Sequence, residues 1–133
     1  MGNAQIQNPV KWSYASKKID KTTAIIFIKA TIDDGWHIYS TSQKSGGPTK
    51  TTFTFKPNTD YKLLGKVTEP TAVIKFEKAF GINVRYFENS VVFEQKIALN
   101  VPSPTIQGKI NFMVCNVQKC ISPDDVEFTL SVR

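Results

Sequence analysis

Residues 107–123 read QGKINFMVCNVQKCISP and hold the chain's two cysteines, Cys115 and Cys120. Upstream of them Ile106, Ile110, Phe112 and Val114 share one parity, and Gln107, Lys109, Asn111 and Met113 share the other. Successive side chains of a strand point to opposite faces, so this alternation predicts a half-buried β-strand. Cys115 has the parity of the more polar set. Its sulfur is therefore expected to leave the strand on the outer side or at its end, away from the main core. A polar link, residues 116–119, leads to Cys120 and then to a second alternating run. Val126, Phe128, Leu130 and Val132 alternate there with Glu127, Thr129, Ser131 and Arg133. Strands joined this closely are expected to be antiparallel neighbours. Cysteines at the base of such a turn can meet the limits of a disulfide, with Cα atoms about 5.5 Å apart.

A bridge over so short a loop contributes roughly 2 kcal/mol through chain entropy. A structural bridge would contribute more by joining distant segments, which hints at a pair meant to be oxidised and reduced. The residues leave four readings open: structural disulfide, redox-active pair, free thiols or metal site. A tetrahedral metal site needs four ligands, and His37 is the one histidine. The spacing C-x4-C is not the C-x-x-C of a thioredoxin-like motif. No sign of a helix amino terminus lies under Cys115 to lower its pKa.

Outward from the cysteines, the chain reads as short strands separated by turn signals. Residues 22–32 place Ala24, Ile26, Ile28, Ala30 and Ile32 on one face, with Ile25 and Phe27 on the other. A strand apolar on both sides is expected to be central or covered. After the turn Asp33-Asp34-Gly35, residues 36–40 place Trp36, Ile38 and Ser40 on one face and His37 and Tyr39 on the other. His37 is a rim histidine unless the fold sets it beside the cysteines. Residues 78–90 carry Phe80, Tyr86 and Phe87 with no clean period, and they read as a loop packed on the body or over a site. Residues 61–64 read as a short strand, 65–70 as a connection and 91–99 as a strand. The expected fold is all-β, an immunoglobulin-like β-sandwich of about eight or nine strands, with a closed barrel as the alternative. Residues 1–9 are expected to be flexible and 10–133 to form one domain.

At 133 residues the chain can bury a real core, and 41% hydrophobic against 21% charged residues excludes a disordered chain. The net charge of +6 comes from lysines spread along the chain. That describes a positive surface, suited at most to steering an acidic protein partner. Nucleic-acid binding would need a basic stripe with stacking aromatics. No run of eighteen apolar residues marks a membrane span, and no signal peptide is visible. Met1-Gly2 reads as a start placed on a trimmed domain. No serine elbow or zinc-helix motif occurs. Thiol–disulfide exchange is the one reactive chemistry that the residue inventory offers without further assumptions.

The run GKINFMVCNVQKCISPDDVEF, residues 108–128, resembles the end of the amino-terminal periplasmic domain of the thiol:disulfide interchange protein DsbD, in the branch found in Bacteroidetes-type bacteria. Residues 34–40, the Gly46-Gly47-Pro48 loop and residues 65–70 fit the same family, and the resemblance covers residues 10–133. It implies an immunoglobulin-like sandwich with one active cysteine pair and no cofactor. It implies a monomeric periplasmic domain, part of an inner-membrane protein. Such a domain accepts electrons from a thioredoxin-like domain and passes them to a periplasmic disulfide isomerase or another oxidised protein. By this resemblance Cys120 forms the mixed disulfides and Cys115 resolves them. A cap loop falls at residues 84–89, with Tyr86 as the shield of the disulfide and Phe87 next, and His37 and Tyr39 lie beside the pair. Three departures stand out. Val84 and Arg85 occupy positions where relatives carry acids, and Arg85 would favour a thiolate. The cysteines are one residue closer together. Ser122-Pro123 stands where relatives often have two prolines. If the resemblance fails, the alternative is a β-sandwich protein-binding module with a purely structural disulfide.

Overall fold

A computed structural model describes residues 8–133, so most of the segment expected to be flexible lies outside the described residues. Pro9 is already buried, and its carbonyl accepts the Asp33 N–H at 2.8 Å.

Twelve strands follow one another among the described residues: β1 (Val10–Lys18), β2 (Thr23–Ile32), β3 (His37–Tyr39), β4 (Thr52–Phe55), β5 (Tyr61–Thr68), β6 (Val73–Glu77), β7 (Ile82–Phe87), β8 (Ser90–Leu99), β9 (Thr105–Asn111), β10 (Val114–Cys115), β11 (Cys120–Ile121) and β12 (Val126–Ser131). They form a four-stranded sheet β1-β2-β8-β5, a five-stranded sheet β11-β10-β3-β7-β6 and a three-stranded sheet β12-β9-β4. Every pairing is antiparallel. The all-β expectation holds. The eight- or nine-stranded immunoglobulin-like sandwich is corrected to twelve strands in three separately hydrogen-bonded sheets.

The core follows from alternation. Ala24, Ile26, Ile28, Ala30 and Ile32 of β2 are all buried, and β2 is flanked by β1 and β8. Val91, Phe93, Ile97 and Leu99 of β8 join them, with Ile106 and Ile110 from β9 and Ile38 and Phe87 from the five-stranded sheet. Each of the valine, isoleucine, leucine and phenylalanine side chains among them contributes about 1.5–3 kcal/mol on leaving water. Trp12 ties the layers together, its ring centroid 5.3 Å from Phe112, 6.3 Å from Phe53 and 6.4 Å from Phe93. Gly108 faces both Phe55 and Phe128 in register, and a Cβ there would meet the Phe128 ring at 2.6 Å. Glycine is what lets that ring lie across β9.

Two local departures position the site. The alternation of residues 106–114 predicts one strand, yet the ladder breaks at Phe112-Met113. β9 pairs with β4 and β12, while β10 pairs with β3 and β11. Phe112 and Val114 stay buried across the break, so the pattern continues although the hydrogen-bonding neighbours change. The second departure is residues 78–90, expected as a loop. Most of that stretch is the β6–β7 hairpin, closed by Phe80 and Gly81 N–H groups donating to the Glu77 carbonyl at 3.1 and 2.8 Å. Gly81 adopts φ +70°, a left-handed conformation that glycine takes without steric cost. Residues 65–68, expected as a connection, extend β5 along β8 past an irregularity between Leu64 and Thr68.

Candidate functional site

β10 and β11 are the two arms of a minimal hairpin, with Val114 opposite Ile121 and Cys115 opposite Cys120. Asn116 organises its turn. The Asn116 N–H donates to the Lys119 carbonyl at 2.9 Å. Its side-chain Oδ1 accepts the N–H groups of Gln118 and Lys119, both at 2.8 Å. Because the 116/119 pair carries the ladder bond, the cysteines fall on the adjacent non-hydrogen-bonded position, where facing strands approach most closely. Cys115 and Cys120 form a disulfide of 2.07 Å with Cα atoms 4.0 Å apart, closer than expected for that reason.

The two sulfurs belong to different environments. Cys115 is 4% exposed, whereas Cys120 is an exposed residue on β11, an edge strand whose one neighbour is β10. Burial of Cys115 comes from the face of the sheet turned away from the main core. β3 alternates so that Ile38 enters the main core and His37 and Tyr39 face the other way. His37 lies opposite Cys115, and Tyr39 lies opposite Tyr86 of β7. Tyr39, Val84 and Cys115 form a second buried cluster, with Tyr86 and Met113 packed against it. Parity thus places the Cys115 sulfur away from the main core, but under aromatic cover.

Tyr39 is 6% exposed, and desolvation pushes its phenol pKa up to about 12, with smaller contributions from the charges of Glu77 and Tyr86. It remains a neutral hydroxyl throughout the physiological range. Its backbone is tied down on both sides. The Thr51 hydroxyl donates to the Tyr39 carbonyl at 2.6 Å, and the Ser40 N–H donates to the Arg85 carbonyl at 2.9 Å. Just beyond, the Glu69 carboxylate accepts the hydroxyl of fully buried Ser40, the Thr41 N–H at 2.8 Å and the Thr41 hydroxyl at 2.7 Å. Sequence reading passed over Glu69, although it stands in the 65–70 phrase that carried part of the resemblance.

His37 is half-buried, with Nε2 3.3 Å from Glu88 Oε2 and its ring edge-on to Tyr86 at 4.6 Å. Glu88 was also missed. It follows β7 at the position opposite His37, a placement that becomes visible only once the β3–β7 register is known. The structure therefore brings Cys115, Cys120, His37, Tyr39 and Tyr86 onto one face. It does not bring Arg85 or Phe87 there. The Arg85 N–H donates to Gln43 Oε1 at 2.6 Å and its guanidinium reaches Ser42 Oγ at 3.4 Å, on the other side of β7. Phe87 belongs to the main core, edge-on to Phe93 at 5.9 Å.

Over residues 5–132 the chain matches the family described as "Thiol:disulfide interchange protein DsbD, N-terminal". No curated protein sequence matches it. Three solved structures share the fold. The reduced amino-terminal domain of Neisseria meningitidis DsbD aligns with TM-score 0.60 and 17% identity, over 89% of this chain and 83% of its own. The amino-terminal periplasmic domain of ScsB from Proteus mirabilis aligns with TM-score 0.65 and 16% identity, over 95% of this chain and 47% of that longer one. A structure of the complex between the DsbD and PilB amino-terminal domains of Neisseria meningitidis aligns with TM-score 0.58 and 12% identity, over 96% and 88%. The family match spans nearly the whole chain, and the disulfide stands where thiol–disulfide exchange requires one: the chain belongs to the DsbD amino-terminal domain family.

Proposed function

We propose that the domain relays electrons, accepting them from a thioredoxin-like domain and delivering them to an oxidised periplasmic protein such as a disulfide isomerase. The observation that carries this reading is the unequal exposure of the two bridged residues, Cys115 buried and Cys120 exposed. A partner thiolate attacks the Cys120 sulfur. The Cys115–Cys120 bond breaks, and Cys115 leaves as a thiolate that takes up a proton. The partner's second thiol, losing its proton, then attacks its own sulfur in the mixed disulfide and releases Cys120. Cys120, expelled as a thiolate, takes up a proton in turn, so the domain is a dithiol two electrons richer and the partner is a disulfide. Delivery runs the same steps backwards: the Cys120 thiolate attacks an oxidised partner, and Cys115 resolves the adduct.

The complex of the similar Neisseria domain with the PilB amino-terminal domain supports a protein as the partner. One chain carries both cysteines, so a monomer suffices. The periplasm is the family's compartment, and among the described residues no helix is long and apolar enough to cross a membrane. The Bacteroidetes-type branch rests on the resemblance of residues 108–128 alone. Tyr86 and Tyr39 act as the cover of Cys115, with His37 at the rim. Tyr86→Ala is expected to speed reduction of the disulfide by glutathione several-fold, and an unchanged rate would remove Tyr86 from that role.

Trapping tests the relay. Cys115→Ala leaves Cys120 able to form an adduct that its neighbour cannot resolve, so it should accumulate a mixed disulfide, seen as a mass shift, with a thioredoxin whose second active-site cysteine is serine and whose first carries thionitrobenzoate as the leaving group. Cys120→Ala should accumulate none. Absence of any adduct with Cys115→Ala returns the pair to a structural bridge.

A further inference from the structure

We propose that Val117 is the apolar anchor by which a thioredoxin-like partner docks on the cysteine hairpin, an inference that rests on the relay reading above. Single exposed hydrophobic residues are ordinary on protein surfaces. Val117 differs in degree and in place. It is 96% exposed, whereas the other exposed large hydrophobic side chains lie between 36% and 58%. It sits at the turn between the two cysteines, where its neighbours Asn116, Gln118 and Lys119 are all polar.

Neither packing nor turn chemistry explains a valine there. Two-residue hairpin turns favour residues with positive φ, above all Asn-Gly. Among the described non-glycine residues only Asn89 has positive φ, so Val117 and Gln118 both keep negative values. A β-branched side chain gives such a turn nothing that Asn, Asp or Gly would not give better. The turn is held instead by the three hydrogen bonds of Asn116. They present Val117 on a fixed support, which lowers the ordering cost of binding.

The geometry of exchange brings a partner to this tip. Attack on a disulfide runs in line with the bond that breaks. With Cys115 as the leaving sulfur, the incoming sulfur approaches from beyond Cys120, outside β11. That side is the free edge of the sheet. Val117 stands three positions from Cys120 along the same turn, a span of at most about 11 Å of extended chain, within the footprint of a protein whose thiolate reaches the Cys120 sulfur. The occupant we assign is the thioredoxin-like protein itself, through an apolar depression beside its attacking cysteine that receives the valine side chain.

Stopped-flow reduction of the oxidised protein tests this with two reductants, reduced thioredoxin and dithiothreitol. Val117→Ser should slow the thioredoxin reaction about tenfold, the scale of one lost apolar anchor, and leave the dithiothreitol rate unchanged. Val117→Ile should stay within about twofold of wild type with both. Val117→Ser reacting as fast as wild type with thioredoxin would overturn the anchor and leave the relay standing. Equal slowing with both reductants would also overturn it, since the valine would then act on the disulfide rather than on docking. If thioredoxin fails to reduce even the wild-type protein while dithiothreitol succeeds, the relay reading falls and the anchor falls with it.

Discussion

The two faces of the five-stranded sheet use the same three central strands for opposite purposes. On one face Val114, Ile38 and Phe87 merge into the main core with Phe93 and the isoleucines of β2 and β8. On the other, Cys115, Tyr39 and Val84 form a small cluster of their own, roofed by Tyr86 and Met113. Three residues of the second cluster are each next in sequence to a main-core residue: Cys115 to Val114, Tyr39 to Ile38, Tyr86 to Phe87. The pleat therefore separates the main core from the cysteine cluster one residue at a time.

The sharpest test of this division compares adjacent residues. Phe87→Ala should cost about 3–5 kcal/mol in urea unfolding, as large-to-small core changes do. Tyr86→Ala should cost far less while changing the thiol reactivity of the pair. Similar losses for the two would erase the distinction between the faces. A smaller effect is expected from reducing the disulfide. Opening so short a loop should remove about 2 kcal/mol, read as the difference in unfolding free energy between oxidised and dithiothreitol-treated protein. A much larger loss would make the bridge a structural staple. Next comes Glu69→Ala, which removes the carboxylate that accepts from the Ser40 hydroxyl and from the Thr41 N–H and hydroxyl and should cost about 1–3 kcal/mol. Glu69→Gln, which keeps a carbonyl acceptor, should recover part of that loss.

The gentlest test is pH. The Tyr39 pKa is raised in the folded state from 10.0 to about 12. The folded protein therefore holds this proton more tightly than the unfolded chain does. The resulting stability is fully present below pH 10 and is lost as pH rises toward 12. Burial raises Tyr14 and Tyr61 in the same direction. Tyr39→Phe should accordingly reduce the fall in stability between pH 10 and 12 without abolishing it. An unchanged slope would mean that the Tyr39 hydroxyl is not desolvated.

Legibility in the sequence tracked how uniform each strand's surroundings are. β2, β8 and β12 each turn one face to a single core, so their more buried residues recur at every second position and the strands were legible in the sequence. β7 was hidden because its side chains meet three environments: Val84 and Tyr86 the cysteine cluster, Phe87 the main core, and Arg85 the Ser42-Gln43 loop. No single period describes such a strand. The break between β9 and β10 was hidden for the opposite reason, since Phe112 and Val114 keep the pattern while the ladder changes partners. For the site, parity predicted that Cys115 turns away from the main core, and spacing predicted that Cys120 can face it. Glu88 and Glu69 gave no local signal, because their partners stand 51 and 28 residues away in sequence, at His37 and Thr41.

Alternation and cysteine spacing, both local properties of the chain, were enough to determine an all-β domain, the faces of its longer strands and a cysteine pair able to close. The tertiary structure alone decided which strands share a sheet, that Cys115 is buried while Cys120 stays open, and which groups stand around them. Those outcomes depend on the register between segments far apart in sequence. Register is set by the packing of whole faces against one another, which no short stretch of residues encodes.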